Sequence, residues 1–573
     1  MQRPESRWKF IESDPESVKL LADEFALKPA TARLMANRGI TDSEKARGFL
    51  SGFLRELPDP FGLKGMQQAV ERIEQAIRQK ENVCVYGDYD VDGVTSVSLL
   101  KLFFKNIPYP LAHTIPLRKK DGYGLNPDMV ERLHKAGHNL LVTVDNGISD
   151  IEEIAYARKL GMDVVVVDHH LPGENLPPAN AIVDPRQPGC TYPDKEMAAV
   201  GLTFLLIVAL RRHLTECGLL SNGKDLNLKK YLDIVALGTV ADLVPLTGVN
   251  RLFVRHGLPL LSRTTRPGLL ALKEVSSIPE GRELGHYEVG FQLAPKINAG
   301  GRLGSAEVGV DLLTTDDLSL ARKLATKLHK ENSARRLIGE RILNEALYQI
   351  EESGDDDAPA FVLHGSDWHE GVIGIVASRI VDRYHRPTLV IAGGEEGPAK
   401  GSCRSIEGLH LKNALDKLSD KLVRFGGHKM AAGFSIEADR IDEFRESFCK
   451  LVKEELSEED FKPLLLLDGA LGIEDLDTRF MQELETLSPF GMGNPSPLLV
   501  IENVEVSSCH LMKRKHWKLS LRQNGASVEA IGFNMDHFSF EKGEKLDLAF
   551  IPEYNEFAGR RRLQLRIKDV HKK

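Results

Sequence analysis

The sequence is poor in cysteine, and its cysteines are scattered. No two of them form a C-x-x-C pair, so neither a disulfide framework nor a thiolate zinc site is indicated. The six positions are Cys84, Cys190, Cys217, Cys403, Cys449 and Cys509. This usage is typical of a reducing compartment, and we expect a cytoplasmic location.

Long apolar runs and an excess of positive charge are also absent. No run of about 20 apolar residues occurs, which predicts no membrane span. The first residues, MQRPESRWKFIESDPES, carry charge without an apolar stretch and do not resemble a secretory signal. The net charge of −8 argues against a polyanion-binding coat over the whole surface. A local basic channel for nucleic acid stays compatible with it.

What is present is a chain of 573 residues with enough apolar content for several cores, and we expect about three to five domains. Apolar strands that alternate with helices predict a parallel sheet covered on both faces, and short alternating strands predict a small β-barrel. The predicted segments are an N-terminal helical segment (1–80), a parallel-sheet α/β domain (81–262), a connector with a long helix (263–355), a second α/β domain (356–460) and a C-terminal barrel (461–573).

A long periodic segment near 316–353 predicts a single helix of about 50 Å that bridges two domains. Its predicted apolar stripe consists of Leu320, Leu324, Leu328, Leu337, Ile338, Ile342 and Ala346. The acidic run SGDDDAP at 353–359 is interpreted as a solvated linker that ends the helix.

Carboxylates and imidazoles follow three predicted strands of the first α/β domain. Asp88, Asp90 and Asp92 lie in VYGDYDVDGVTS, Asp145 in TVDNG, and Asp168, His169 and His170 in VVVVDHH; Asp242, in GTVADLVP, follows a helical pattern. Alone, each such Asp is more often a helix cap or a turn residue. Together at one sheet edge they would repel one another unless cations bound there, so the joint pattern favours a metal site.

The residue types narrow the choice of metal and motif. DYDVDG resembles the start of a calcium-binding EF-hand, but the twelfth position is Leu99 instead of Glu, which excludes that loop. No G-x-x-x-x-G-K-[ST] phosphate loop occurs. Oxygen-rich sites with imidazole suit Mn²⁺ or Mg²⁺, and a pair of ions could share Asp92 or Asp145 as a bridge.

In this order, GDYDVDG, VDNG, DHH and GTVADLVP resemble the four motifs of the DHH phosphoesterases. Further along, NAGGRLG, HEGVIGIVASR, KGSCRS and FGGHKMAAGF resemble the DHHA1 domain and its connector, and SPFGMGNPSP resembles the entry to the barrel of the RecJ exonucleases. The resemblance implies a DHH domain, a DHHA1 domain and an OB-like barrel. It also implies a 5′→3′ exonuclease that degrades single-stranded DNA to mononucleotides in DNA repair and recombination.

The resemblance also assigns roles around the metal ions. It implies that Asp90, Asp92, Asp145, His169 and Asp242 ligate two divalent ions, Mn²⁺ or Mg²⁺. Asp88 is a supporting group or a further ligand. His170 is expected to contact the scissile phosphate or the nucleophile, which completes the catalytic set.

Phosphate contacts are expected from arginines and from glycine-rich turns. The candidates are Arg118, Arg302, Ser402, Arg404, Gly426, Gly427 and His428. The resemblance implies that Ser402 and Arg404 hold a terminal 5′ phosphate. Each of them also has an ordinary surface or turn interpretation. Trp517, in KRKHWK, is either a stacking platform for bases or a half-buried strand aromatic.

Two other functions stay open at this point. One is a DHH phosphoesterase for short oligonucleotides or cyclic dinucleotides, which would need neither the barrel nor the long helix. The other is a non-catalytic DNA-binding relative, which would require the loss of metal ligands. The expected partners are single-stranded DNA and a single-strand-binding protein, with no membrane and a monomeric chain.

Overall fold

The computed structural model describes residues 4–117, 121–122, 124–221, 223–355, 358–395, 397–557 and 560–572. The chain divides into two compact units. The larger unit consists of Ser13–Asn332 and Leu476–Ser496; the smaller unit consists of the described residues of Met1–Glu12, Ser333–Asp475 and Pro497–Lys573. No helix in the described part of the chain is both long enough and apolar enough to span a membrane.

The helices and strands are numbered in chain order. The helices are α1 (Pro15–Glu24), α2 (Pro29–Ala36), α3 (Ser43–Ser51), α4 (Met66–Gln79), α5 (Val91–Phe104), α6 (Pro127–Lys135), α7 (Ile151–Lys159), α8 (Ala199–Glu216), α9 (Leu232–Ala241), α10 (Gly248–Ser262), α11 (Pro267–Val275), α12 (Ala294–Leu303), α13 (Glu307–Thr314), α14 (Leu318–Ser353), α15 (Ile373–Tyr384), α16 (Leu411–Lys417), α17 (Ile441–Glu455) and α18 (Thr478–Leu487). The strands are β1 (Arg7–Phe10), β2 (Val83–Gly87), β3 (Ala112–Thr114), β4 (Leu140–Val144), β5 (Asp163–Val167), β6 (Ala181–Val183), β7 (Phe361–Gly365), β8 (Thr388–Ala392), β9 (Ala399–Arg404), β10 (Arg424–Gly427), β11 (Ala431–Ile436), β12 (Leu464–Leu467), β13 (Gly469–Ala470), β14 (Leu499–Met512), β15 (His516–Gln523), β16 (Ala526–Gly532), β17 (Lys545–Phe557) and β18 (Arg560–Lys572).

The larger unit contains the predicted parallel sheet, with strand order β3-β2-β4-β5-β6. Its central strands are apolar runs because both faces are covered. In β2, Val83 and Val85 pack into the core with α4, α5 and α8, whereas Cys84 and Tyr86 pack into the core with α6 and α7. The carboxyl ends of β2, β4 and β5 therefore meet at one edge of the sheet.

The first turn of α5 is pressed against the end of β2. A Cβ atom on Gly93 would lie 2.3 Å from the Asp88 carbonyl oxygen, so only glycine fits this approach. Almost every residue of α5 is buried. Asp90 caps the helix, its Oδ1 accepting hydrogen bonds from the backbone N–H groups of Asp92 (2.9 Å) and Gly93 (3.2 Å).

The predicted long helix is present as α14, but its predicted apolar stripe is partly wrong. Leu320 and Leu337 are 43% and 68% exposed. Ala321, Ala325 and Leu328 pack in the core of the larger unit, whereas Ile342, Ala346 and Ile350 pack in a core of the smaller unit. The two halves of the helix belong to different cores, so no single stripe accounts for both.

The smaller unit contains a second sheet, of order β10-β11-β9-β8-β7, in which only the pair β7–β8 is parallel. It also contains the predicted barrel. Strands β14-β15-β16-β18-β17 follow one another, and β17 pairs with β14, which closes the ring. β1 joins this unit by pairing with β12 in a parallel register. These elements confirm the predicted α/β fold with a C-terminal OB-like barrel.

Candidate metal centre

The structure brings the acidic and histidine motifs of the larger unit together at the carboxyl edge of its sheet. Asp88 and Asp90 follow β2, Asp145 follows β4 and His169 follows β5. Asp242 arrives from elsewhere, as the residue that ends α9. Four chain segments thus supply side chains to one place, which is the usual position of ligands in an open α/β sheet.

The ligand atoms form three overlapping groups, in each of which all atoms lie within 4.8 Å of one another. The groups are Asp88, Asp90 and Asp145; Asp145, His169 and His170; and Asp92, His169 and Asp242. Asp145 and His169 each belong to two groups, so two ions bound here could share them as ligands. All seven motif residues predicted to surround the metal ions lie here.

His169 is at the middle of the centre. Its Nε2 lies 3.2 Å from Asp145 Oδ1, 3.7 Å from Asp242 Oδ2 and 4.0 Å from Asp92 Oδ2. This buried nitrogen and Asp242 Oδ2 have no hydrogen-bond partner among the described residues. A buried polar atom without a partner costs free energy, and a cation between these atoms would remove that cost.

Asp92 is held in place by the start of α8. Its Oδ2 accepts a hydrogen bond from the Ala199 N–H (2.7 Å) and its Oδ1 accepts one from the Val200 N–H (2.8 Å). The N-terminus of a helix stabilises a carboxylate in this way. Each oxygen keeps further lone pairs for a metal ion.

Asp145 has a left-handed backbone conformation, with φ of +64°. This conformation is uncommon for residues other than glycine, although Asp adopts it more readily than most. The Asp145 N–H donates to the carbonyl of Val167, the last residue of β5 (3.0 Å), so the first residue of the turn is still hydrogen-bonded to the neighbouring strand. The uncommon backbone conformation therefore occurs at a residue that two ligand groups share.

Burial and mutual repulsion raise the pKa values of the central carboxyls. Burial and the neighbouring Asp90 raise the pKa of Asp92 to about 7. Burial and the charges of Asp92 and Asp90 raise the pKa of Asp242 to about 9. Burial, followed by the surrounding aspartates, raises the pKa of Asp145 well above its usual value. Burial lowers the pKa of His169 to about 4, so its imidazole is neutral and able to ligate.

The donor set fits hard divalent cations. Carboxylate oxygens with one or two imidazole nitrogens are suitable for Mn²⁺ or Mg²⁺, and no thiolate contributes. Carboxyls whose pKa values are raised by burial and by neighbouring aspartates are the groups that a bound cation would ionise.

His170 differs from His169 because Asp168 fixes its ring. The Asp168 Oδ1 accepts from His170 Nδ1 (2.7 Å) and from the backbone N–H of His169 (2.8 Å). Asp168 Oδ2 accepts from the Ile148 N–H (3.0 Å), which ties the turn after β4 to the turn after β5. A carboxylate can only accept a hydrogen bond, so the proton between the two groups is on His170 Nδ1. The other ring nitrogen, Nε2, is then the atom that can act on a substrate. The ion pair with Asp168 raises the pKa of His170 despite its burial. Sequence reasoning had placed Asp168 at the strand end without this orienting role.

The motif NAGGRLG forms most of α12 and packs against the metal centre. Asn298 Oδ1 accepts from the backbone N–H of Val91, the first residue of α5 (3.1 Å). A Cβ atom on Gly301 would lie 2.5 Å from the Tyr89 carbonyl oxygen. Arg302 follows directly and is half-buried. Sequence reasoning named Arg302 but missed Asn298, although that residue stands in the same motif.

The predicted phosphate residues Ser402 and Arg404 lie on β9 of the smaller unit. Arg404 Nη1 donates to Ser402 Oγ (3.2 Å) and to the Cys403 carbonyl (2.7 Å). Both side chains lie over Gly374 in the first turn of α15: a Cβ there would be 2.9 Å from Ser402 Oγ and 3.0 Å from Arg404 Nη2. A helix start, a hydroxyl and a guanidinium thus converge, which is an arrangement suited to phosphate.

The remaining predicted residues have varied surroundings. Gly426 and Gly427 end β10, and His428 begins the turn to β11. Gly427 has φ of +144° and lies against the Ala432 backbone, so this turn requires glycine.

Trp517 lies in the barrel. Its Nε1 donates to the Phe538 carbonyl (3.2 Å), and its ring contacts Phe540 edge to face. These contacts favour the packing interpretation of Trp517. Arg118 lies outside the described residues.

Comparisons with known proteins agree with this arrangement. The model of the DHH family, N-terminal domain, matches residues 82–239, the DHHA1 domain matches 357–454, and the RecJ OB domain matches 467–569. The chain is 39% identical over 569 residues to the single-stranded-DNA-specific exonuclease RecJ of Bacillus subtilis, covering 98% of this chain and 70% of that protein.

Two solved structures are also similar. A crystal structure of RecJ from Thermus thermophilus in complex with Mn²⁺ has a TM-score of 0.83 and 30% identity, and covers 99% of this chain and 80% of that one. Its counterpart in complex with Mg²⁺ has a TM-score of 0.78 and 28% identity, with 99% and 78% covered. With these matches along nearly its whole length, the chain belongs to the RecJ family of single-stranded-DNA-specific exonucleases.

Proposed function

We propose that this chain is a metal-dependent exonuclease that degrades single-stranded DNA to mononucleotides from the 5′ end, in DNA repair and recombination. The observation that carries the proposal is the set of overlapping ligand groups that share Asp145 and His169. Hydrolysis of a phosphodiester requires charge stabilisation on both sides of phosphorus, and a shared-ligand pair of divalent ions supplies it.

Asp90, Asp92, Asp145, His169 and Asp242 would hold two ions, Mn²⁺ or Mg²⁺, and Asp88 would support them or ligate further. When bound, the ions lower the pKa of water and polarise the phosphoryl oxygens. The protein contributes their placement: α8 fixes the Asp92 carboxylate and the end of α9 supplies Asp242.

His170 would act on the phosphate or the attacking group through Nε2. Its Nδ1 proton is held by Asp168, which fixes the ring and keeps the imidazole charged to a higher pH than an isolated histidine. A charged Nε2–H donates to an anionic oxygen. Arg302, on the helix that packs against Tyr89, would pair with the same phosphodiester.

Ser402 and Arg404 would select the strand end. Arg404 is held against the start of α15 by Ser402, so little rearrangement is required to bind a terminal phosphate. The turn with Gly426, Gly427 and His428 would offer backbone and ring donors to the same strand. Trp517 is proposed as a packing residue of the barrel, because its Nε1 donates to the Phe538 carbonyl and its ring packs against Phe540.

We also propose a monomer in the cytoplasm that works beside a single-strand-binding protein. The support for the location is that all six cysteines are free thiols, as in proteins of reducing compartments. The support for the partner is the substrate, which a single-strand-binding protein covers in the cell. Size-exclusion chromatography with light scattering tests the first point, and a pull-down with purified single-strand-binding protein tests the second.

The activity assay uses single strands labelled at either end, with Mn²⁺ or Mg²⁺, and the same reactions with EDTA. We expect mononucleotides to appear from the 5′ end and EDTA to stop their release. A blunt duplex of the same sequence is the matched control and should be degraded far more slowly. Release from the 3′ end, or activity that survives EDTA, would contradict the proposal.

A further inference from the structure

An exposed aromatic pair lies at the start of the helix that leads into the metal centre. Tyr287 and Phe291 are 51% and 69% exposed, and Phe291 is the most exposed large apolar side chain in the described residues. Their rings are stacked, with centroids 5.1 Å apart and planes inclined by 30°. Two stacked rings that are this exposed contribute little to the core and offer aromatic surface to a ligand.

The pair lies on a rigid element. Glu288–Leu293 forms a π-helical turn that continues without a break into α12. The opposite side of this turn is anchored, since Val289 and Leu293 are fully buried in the core of the larger unit. Glu288 accepts hydrogen bonds from the Gly285 N–H and from Arg282 (both 3.0 Å). π-Helical turns are frequent at functional sites, and here the turn brings Tyr287 and Phe291 to one side.

The same helix carries residues that contact the metal centre. Asn298 lies seven residues after Phe291 on this continuous helical segment. At about 1.5 Å per residue, Phe291 is about 10 Å along the helix axis from Asn298 and about 16 Å from Arg302. At the stacked spacing of about 3.4 Å per nucleotide, these distances correspond to about three to five nucleotides.

We propose that Tyr287 and Phe291 form a stacking platform for bases of the single strand, about three to five nucleotides from the end being cleaved. This platform rests on the proposed function, because it takes its ligand from the substrate held at the metal centre. Aromatic rings stack on every base, so the platform binds strands without reading their sequence. It also favours a single strand, because the faces of bases inside a duplex are already covered by stacking on the neighbouring base pairs.

The first test measures binding of a 12-nucleotide single strand by fluorescence anisotropy in EDTA, where it is not cut. Phe291→Ala should weaken binding about 5- to 150-fold, the range for one lost stacking contact. Phe291→Trp should bind like the wild-type chain, and Phe291→Leu, which keeps apolar area without a π face, should bind like Phe291→Ala. Phe53→Ala, an exposed aromatic of the same unit, is the control and should change nothing.

The second test uses substrate length and missing bases. Dinucleotides are too short to reach the platform, so Tyr287→Ala and Phe291→Ala should cleave them at the wild-type rate while KM for 12-mers rises. A single abasic position, moved along the 12-mer, should weaken binding to the wild-type chain most at about three to five nucleotides from the end. Phe291→Ala should not respond to that position.

Three results would overturn the platform: wild-type affinity of Phe291→Ala for the 12-mer, wild-type affinity of Phe291→Leu, or equal losses on dinucleotides and 12-mers. Wild-type affinity of Phe291→Ala would mean that this surface does not bind the strand and would favour a protein partner instead. If the wild-type chain itself fails to degrade strands, the proposed function fails. If it degrades them and the aromatic variants are unaffected, only the platform fails.

Discussion

The two five-stranded sheets of this protein carry sites whose ionisable groups have opposite signs. The parallel sheet of the larger unit collects buried carboxyls at the ends of β2, β4 and β5, and burial with mutual repulsion raises the pKa values of Asp92, Asp145 and Asp242. The mixed sheet of the smaller unit presents Arg404 on β9, where burial lowers the pKa of the guanidinium. Each site is unfavourable for its own charge until an ion of the opposite sign binds.

The difference between them lies in what holds the groups. At the parallel edge, several segments converge and glycines approach backbone atoms, so the geometry is fixed by the fold. On β9, the arginine and serine are neighbours on one strand and touch the start of α15 through the ends of their side chains. The first site is therefore held by backbone packing and the second by contacts between side-chain ends, and the following predictions separate the two.

The largest effect is expected at Asp145. Asp145→Ala removes a ligand shared by two groups and should lower cleavage about a thousand-fold or more, since metal ions contribute several kcal/mol to such reactions. Strand binding measured by anisotropy should change little. Asp150→Asn serves as the control, because Asp150 belongs to none of the ligand groups and its Oδ2 accepts a hydrogen bond from the Leu125 N–H. Cleavage near the wild-type rate would show that Asp145 is not a ligand.

Proton competition should make metal affinity strongly dependent on pH. In the metal-free protein the pKa of Asp92 is about 7 and that of Asp242 about 9, so both carboxyls are largely protonated below pH 7. A metal ion must displace these protons, whereas neutral His169, with a pKa of about 4, is available throughout. Mn²⁺ affinity should therefore rise about tenfold or more per pH unit between pH 6 and 7.

Isothermal calorimetry at pH 6, 7 and 8 measures this dependence. Repeating the titration in buffers of different ionisation enthalpy counts the protons released. An affinity that stays constant over this range, with no proton release, would mean that the carboxyls are already ionised.

An intermediate effect is expected at Arg404. Arg404→Ala should weaken selection of a 5′-phosphorylated over a 5′-hydroxyl strand by about 10- to 150-fold, the range for hydrogen bonds to a charged group. The readout is the ratio of kcat/KM for the two strands. Arg404→Lys keeps the charge but loses the planar fork, and should recover part of the selection. Equal loss on both strands would exclude an end-phosphate pocket.

The smallest effect is expected from a glycine-to-alanine substitution, which can be made at each of the two sites. Gly93→Ala places a Cβ against the Asp88 backbone and should lower the free energy of unfolding by about 1–3 kcal/mol, together with activity. Gly374→Ala meets only the far ends of the Ser402 and Arg404 side chains, which can move. It should leave thermal stability nearly unchanged and weaken only end selection. Equal destabilisation by both, measured by thermal unfolding, would contradict the distinction.

Much of the fold was predictable because its signals are local. VCVYG, LLVTV and VVVV are buried runs of the length of a strand, and the barrel strands alternate as predicted. The errors came where packing partners lie far away in the chain. Leu337 was placed in the apolar stripe of α14 and is exposed, because the buried face of that helix changes between two cores. The pairing of β1 with β12 joins residues more than 450 positions apart, which no local pattern indicates.

The metal centre shows the same division. The sequence by itself determined which groups are available, since strands that end in Asp and His predict a cluster at the sheet edge wherever the sheet is parallel. Only the tertiary structure decided which of them share space. It placed Asp242 beside His169 from a separate helix and turned Asp168 towards His170. It also brought Asn298 to the start of α5 from about 200 residues away. Composition and periodicity indicate whether a segment is a helix or a strand. The distances between elements depend on how side chains far apart in the chain pack together, and no local sequence pattern indicates those contacts.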